Sequence, residues 1–170
     1  TTYAYDNGNR PTTVQFGNAS NKVAYAYDAL SRISTRTLTV GGTNYATAYG
    51  FISGGHGAGS TTALVNSISQ PGQSFSYTYD NVGNIATEVR NGYSTSYEYD
   101  LLGQLTRVND QRAGETWTYE YDRGGNITEK KRYAYTTGDL QPSTELEAIN
   151  YEYDSTWKDK LASYNGADIT

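Results

Sequence analysis

Six times in 170 residues this chain writes Tyr-x-Tyr-Asp. The copies stand at Tyr3, Tyr5 and Asp6; Tyr25, Tyr27 and Asp28; Tyr77, Tyr79 and Asp80; Tyr97, Tyr99 and Asp100; Tyr119, Tyr121 and Asp122; and Tyr151, Tyr153 and Asp154. Successive aspartates are 22, 52, 20, 22 and 32 residues apart. The longest gap holds a worn copy, Thr47-Ala48-Tyr49-Gly50, with the excess in the loop Gly54–Thr62. The last gap carries an insertion, Thr136–Glu145, around Gly138 and Pro142. A fixed period with its insertions confined to turns is the mark of a repeat architecture.

The stretch Ser74–Tyr99 shows what one unit contains. Aromatic and β-branched residues alternate with small polar ones, which is strand chemistry. Asn91-Gly92 supplies the residues that a two-residue hairpin turn needs, because both central positions take positive φ. Asp80 followed by Gly83 makes the other turn: Asp accepts a bond from the backbone ahead of it, and Gly takes the left-handed position. Gly103 and Gly125 stand at the same place after Asp100 and Asp122. The first copy, Asp6-Asn7-Gly8-Asn9-Arg10, reads as one residue short, the second puts Ser31 in place of Gly, and the last is enlarged through Ser155–Leu161. The hydrophobic residue five places after each Asp is expected on the same face as the tyrosine pair. One face is thus predicted to hold Tyr77, Tyr79, Ile85, Val89, Tyr97, Tyr99 and Leu105, and a solvated opposite face Glu88, Arg90, Glu98 and Glu120.

These runs predict an all-β chain of about fourteen short strands with no helix, the best helical stretch, Thr144–Ile149, being too short. The expected architecture is a curved antiparallel sheet of consecutive hairpins, since strongly twisted sheets rarely exceed about ten strands without curling. Residues 1–170 are expected to form a single repeat segment, and a chain without Met that starts inside a repeat reads as a piece of a longer protein.

Composition narrows the function classes. With 18 Tyr against three Phe, the apolar surface carries hydroxyls that need partners. Cysteine is absent, so neither disulfides nor thiolate metal sites exist. A net charge of −5 has the wrong sign for tracking a phosphate backbone, so no nucleic-acid partner is expected. No apolar run approaches the roughly 18 residues of a membrane span.

Tyr-x-Tyr-Asp-x-x-Gly-Asn-Ile at this spacing resembles the YD repeat of the RHS/YD-repeat proteins, over nearly the whole chain from Tyr3 to Asp154. These include bacterial wall-associated and polymorphic-toxin proteins, the C component of insecticidal toxin complexes, and animal teneurins. Trp157–Gly166 resembles a variant turn of the bacterial members. The resemblance implies β-hairpins that spiral into a hollow shell, often around a toxin or other cargo, and an extracellular or cell-surface location, associated with the bacterial cell wall. The family's Asp-Pro core element, which can carry a self-cleaving aspartate pair, has no counterpart, since no Asp-Pro occurs.

Catalytic readings are thin. Gly54–Thr61 has the glycine spacing of a phosphate loop, but Ser60 stands where the phosphate-reaching Lys belongs. His56 is the sole histidine and reads as a loop residue. Each Asp turn offers one carboxylate, too few for a calcium loop, and reads as a turn-forming acceptor. Glu98 and Glu120, at equivalent places in neighbouring repeats, could approach each other, but on a wet face that would not raise a carboxyl pKa. No catalytic residue, metal or cofactor is expected. The preferred function is a non-enzymatic scaffold or encapsulation wall. The alternative is a carbohydrate-binding surface module that uses the tyrosine ladder against sugar rings. Expected partners are neighbouring repeats of the parent chain, an enclosed cargo or a surface glycan, and further copies through edge-to-edge pairing.

Overall fold

A computed structural model describes residues 1–18, 20–54 and 61–169. The phosphate-loop-like glycines 55–59 and His56 lie outside the described residues. Among the described residues there are fifteen strands and a single 3-10 turn, Pro142–Thr144. In chain order the first strands are β1 (Thr2–Tyr5), β2 (Pro11–Gln15), β3 (Lys22–Tyr27), β4 (Ile33–Val40) and β5 (Thr43–Ser53). Next come β6 (Thr61–Gln70), β7 (Gln73–Tyr79), β8 (Ile85–Arg90), β9 (Tyr93–Tyr99) and β10 (Leu105–Asp110). The last are β11 (Glu115–Tyr121), β12 (Ile127–Ala134), β13 (Glu145–Tyr153), β14 (Leu161–Tyr164) and β15 (Ala167–Asp168). The sheet is antiparallel and open, and its strand order is the chain order, β1 to β15. No helix is long and apolar enough to cross a membrane.

The chain falls into two compact units, Thr1–Tyr77 with Val89–Asn91, and Thr78–Glu88 with Gly92–Thr170. In the first, β5 runs straight through the worn copy, so Tyr49-Gly50 makes no turn. Gly50 sits instead where the β5–β6 register shifts. A Cβ there would require the Ser67 and Asn66 side chains to move.

Every copy whose register is defined carries the same β-bulge. Tyr5 lies opposite Pro11 and Ala4 opposite Thr13, leaving Thr12 unopposed. The same skip leaves Ser34, Thr106, Thr128 and Ala162 unopposed in later copies. All five are small. A bulge shifts the alternation by one residue, so side chains beyond it change face. In the copies with the ordinary turn the residue five places after Asp faces the second tyrosine, as expected, but the next to share that face is eight places after Asp. In the enlarged last copy these two are Leu161 and Tyr164, seven and ten places on. In this way Val14, Arg36, Val108, Lys130 and Tyr164 lie opposite the first tyrosine of their copies.

The expected faces need correction for the same reason. The Thr78 and Thr87 hydroxyls meet at 2.6 Å, which puts Thr87 on the face turned away from the tyrosines. Val89 therefore shares that face, and Glu88 and Arg90 lie on the tyrosine side. The Arg90 guanidinium stands 5.3 Å from the Phe75 ring centroid.

Nor is the opposite face uniformly wet. In the second unit Thr116 is fully buried, and Asn109, Tyr133 and Ser163 nearly so, all on the side away from the ladder. The insertion after β12 covers part of it. Thr116 Oγ1 donates to the Thr136 carbonyl (3.0 Å) and accepts from the Thr136 N–H (3.0 Å). Arg107 donates to the Thr136 and Gly138 carbonyls, each at 2.8 Å. Beneath the strap, Asn109 Oδ1 accepts from Arg107 and lies 3.1 Å from the Thr116 hydroxyl, and the Asn109 amide donates to Ser96. In the first unit the buried Thr39 likewise lies on the non-tyrosine side, its hydroxyl 2.7 Å from Asn44 Oδ1. Apart from Tyr133, the side chains that sink on this face are small ones, Thr39, Asn109, Thr116 and Ser163, below longer neighbours.

Candidate functional site

The recurrent site is the turn after each Tyr-x-Tyr-Asp. Asp80 Oδ1 accepts from the N–H of Val82 (3.0 Å) and of Asn84 (2.9 Å), while Oδ2 accepts from the Asn84 side-chain amide (2.9 Å). Two backbone bonds close the turn, from Asp80 N–H to the Asn84 carbonyl (2.9 Å) and from Gly83 N–H to the Asp80 carbonyl (3.2 Å). Asp122 repeats this with Gly124 and Asn126. Asp6 and Asp28 repeat it with arginine, whose Nε reaches Oδ2 at 2.7 Å in Arg10 and in Arg32. Asp100 keeps both backbone donors, Leu102 and Gln104. In the enlarged last copy Asp154 takes the N–H groups of Thr156 and Trp157, and its own N–H reaches the Lys160 carbonyl.

The left-handed position is held by Gly83, Gly103 and Gly125, with φ of 98°, 78° and 89°. Ser31 adopts it at 65° and Asn9 at 60°. Asn9 therefore stands three places after Asp6 and Arg10 four, so the first turn has full length and is not one residue short. What differs is Pro11 in place of the usual Ile or Leu.

These bonds set the carboxyl chemistry. The Arg10 side chain, its backbone N–H and that of Gly8 hold the Asp6 carboxyl below its ordinary value. For Asp28 and Asp80 burial pushes upward, but the bonds from Arg32 and from Asn84 outweigh it and the net shift is downward. Asp122 is lowered chiefly by Asn126, and Asp154 by the Trp157 and Thr156 N–H groups. Each is a carboxylate whose oxygens already serve internal donors. Among the described residues no three acidic or histidine side chains gather as a metal ligand set. Glu98 and Glu120 do not pair: Glu98 lies opposite Arg107, 3.8 Å from its Nε, and Glu120 lies opposite Glu129.

The tyrosines connect one repeat to the one before. The second tyrosine of a copy donates its hydroxyl to the carbonyl five places after the preceding Asp. Tyr27 reaches Pro11 (2.8 Å), Tyr99 Ile85 (3.1 Å), Tyr121 Leu105 (2.8 Å) and Tyr153 Ile127 (3.0 Å). That carbonyl immediately precedes the bulged residue, where the ladder is interrupted and an acceptor is on offer. Burial, then the charge of the preceding repeat's aspartate, raises the hydroxyl pKa of Tyr99 (beside Asp80), Tyr121 (beside Asp100) and Tyr153 (beside Asp122). Tyr3 and Tyr5 stay more than half exposed, their rings stacked with centroids 6.5 Å apart. Tyr25, Tyr77, Tyr79, Tyr97, Tyr119 and Tyr151 are half-buried, and Tyr151 packs edge-on against Tyr164 at 5.4 Å.

Two contributors have only a faint trace in the sequence: the side chain four places after Asp, and the small residue at the bulge. Repetition of Asn84 at Asn126, and of Arg10 at Arg32, was the available signal for the first.

Residues 99–137, which span two such turns, those after Asp100 and Asp122, and the strands between and beyond them, match the RHS Repeat family model. That stretch is similar to an RHS repeat. The RHS match begins at Tyr99 and includes Asp100, Tyr121 and Asp122. No curated protein matches the chain. Among solved structures, the crystal structure of TcdB2-TccC3-Cdc42 is 19% identical over 94% of this chain, with a TM-score of 0.52. The Photorhabdus luminescens Tc holotoxin pore with a TccC3 mutation gives the same values. TcdB2-TccC3 without its hypervariable C-terminal region is 18% identical over 94%, with a TM-score of 0.51. In each case the chain spans 10% of the solved chain's length, and the likeness is one of fold.

Proposed function

We propose that residues 1–170 act as one non-enzymatic segment of an RHS/YD-repeat β-shell or surface protein, a scaffold or wall around a larger secreted protein's cargo. The tyrosine hydroxyl that bonds the preceding repeat carries this reading, because it occupies the ladder in joining repeats. The fold likeness to TccC3-containing chains about ten times as long supports a segment role. With it go an extracellular or bacterial cell-wall location and partners in the neighbouring repeats of the parent chain, with edge-to-edge pairing between copies at high concentration.

A second reading is favoured by Tyr3 and Tyr5, whose exposed stacked rings offer a flat apolar surface to a surface glycan. A glycan array combined with thermal melting separates the two. The scaffold reading expects no glycan capture, and a lowered melting temperature for Tyr121→Ala and Tyr153→Ala. Glycan capture abolished by Tyr3→Ala and Tyr5→Ala, with melting unchanged, would replace it by the second.

A further inference from the structure

Three Asn-Gly pairs occur, at Asn7-Gly8, Asn91-Gly92 and Asn165-Gly166, and all are exposed. Asn-Gly is the dipeptide in which the following amide nitrogen most readily reaches the side-chain carbonyl carbon, because glycine offers no Cβ to obstruct it. Water access does not separate the three, but hydrogen bonding does. At the first pair the attacking nitrogen is engaged: Gly8 N–H donates to Asp6 Oδ1 at 2.9 Å. At the second the carboxamide is engaged: Asn91 Oδ1 accepts the Ser74 N–H at 2.8 Å, while the Asn91 N–H donates to the Ser74 carbonyl at 3.0 Å. Gln111 and Ser94 form the same reciprocal clamp.

Asn165 has the same left-handed backbone as Asn91, with φ of 49° against 50°. Its N–H likewise donates across to Asn150 at 2.7 Å, but among the described residues no N–H closes on its carboxamide. Ala167 lies opposite Tyr164 in the β14–β15 ladder. Without the clamp, the Asn165 side chain is left able to turn toward the Gly166 nitrogen, the geometry that ring closure needs.

We infer that Asn165 is a site of spontaneous modification with water as the only co-reactant. The Gly166 nitrogen forms a bond to Asn165 Cγ, the Cγ–Nδ2 bond breaks, and the amide proton leaves with that nitrogen as ammonia. Water then opens the cyclic imide at either carbonyl, its hydroxyl going to the carbon and its proton to the nitrogen, giving aspartate or isoaspartate without any redox change. Both products add a negative charge. Isoaspartate also lengthens the two-residue loop by one backbone atom, which misplaces Ala167 against Tyr164.

The test is peptide mapping by mass spectrometry of the folded chain held at mildly alkaline pH, scoring the gain of about one dalton at each Asn. The expected order puts Asn165 first, about tenfold or more ahead of Asn91 and Asn7, with the three rates converging in denaturant. Asn91 or Asn7 matching Asn165 in the folded chain would overturn the assignment. So would an order that persists in denaturant, which would trace it to neighbouring sequence and not to the clamps.

Discussion

The Tyr121 hydroxyl donates a 2.8 Å hydrogen bond to the Leu105 carbonyl, across the boundary between two successive repeats. The ring supplies apolar packing whether or not the hydroxyl is present, so Tyr121→Phe isolates the bond. Removing it strands the Leu105 carbonyl beside the bulge and should cost about 1 kcal/mol, within the usual range for a hydrogen bond. Urea denaturation would show a lowered midpoint. Tyr3→Phe, at an exposed ring, should leave the midpoint unchanged.

Stability should form a plateau in pH with losses at both ends. Asp6, Asp28, Asp80, Asp122 and Asp154 have folded pKa values below the ordinary 3.8. The unfolded chain therefore binds protons first, and the stability these groups contribute is full above about pH 4 and is lost as pH falls through the lowered values. Tyr99, Tyr119, Tyr121, Tyr151 and Tyr153 have folded values above 10.0, chiefly through burial. Their contribution is full below about pH 10 and is lost as pH rises through the raised values. Melting temperature against pH would check both limits, and Asp122→Asn should weaken the acid-side dependence.

The left-handed turn position allows a gain as well as a loss. Ser31 holds φ at 65°, a conformation that costs a residue with a Cβ about 1 kcal/mol relative to glycine. Ser31→Gly should raise the melting temperature despite losing the exposed bond from Arg10 to the Ser31 hydroxyl. Gly103→Ala should lower it by a comparable amount. A Cβ at Gly103 meets nothing within 4 Å, so the penalty there is conformational and not steric.

Thr116→Val tests the strap. The substitution preserves shape but removes the hydroxyl that bonds both backbone groups of Thr136 and Asn109 Oδ1. Leaving the Thr136 N–H without its partner should cost about 1–3 kcal/mol. Hydrogen exchange should quicken at Thr136, while the turn at Asp122 keeps its protection.

The hairpin order and the turn positions were readable from Tyr-x-Tyr-Asp because turns demand particular residues, and Asp80, Gly83 and Gly92 supply them. The faces were only half readable. Simple alternation from Ile85 places Val89 beside the tyrosines, but one unopposed residue reverses everything after it. Thr12, Ser34 and Thr106 at the bulge look like ordinary strand residues, so nothing local announces the reversal. The burial of Thr116 and Asn109 was hidden for another reason. It depends on where the Thr136–Glu145 insertion lands, and that is decided by contacts with β10 and β11, not by the insertion's own composition.

A strand order identical to the chain order means that each strand takes its ladder bonds from the strands before and after it in the chain. Tension on the two ends would load the ladder across its bonds one pair at a time, as a zipper is loaded, and not along its length all at once. Such a polypeptide would yield hairpin after hairpin, each release leaving the next pair of strands to carry the load.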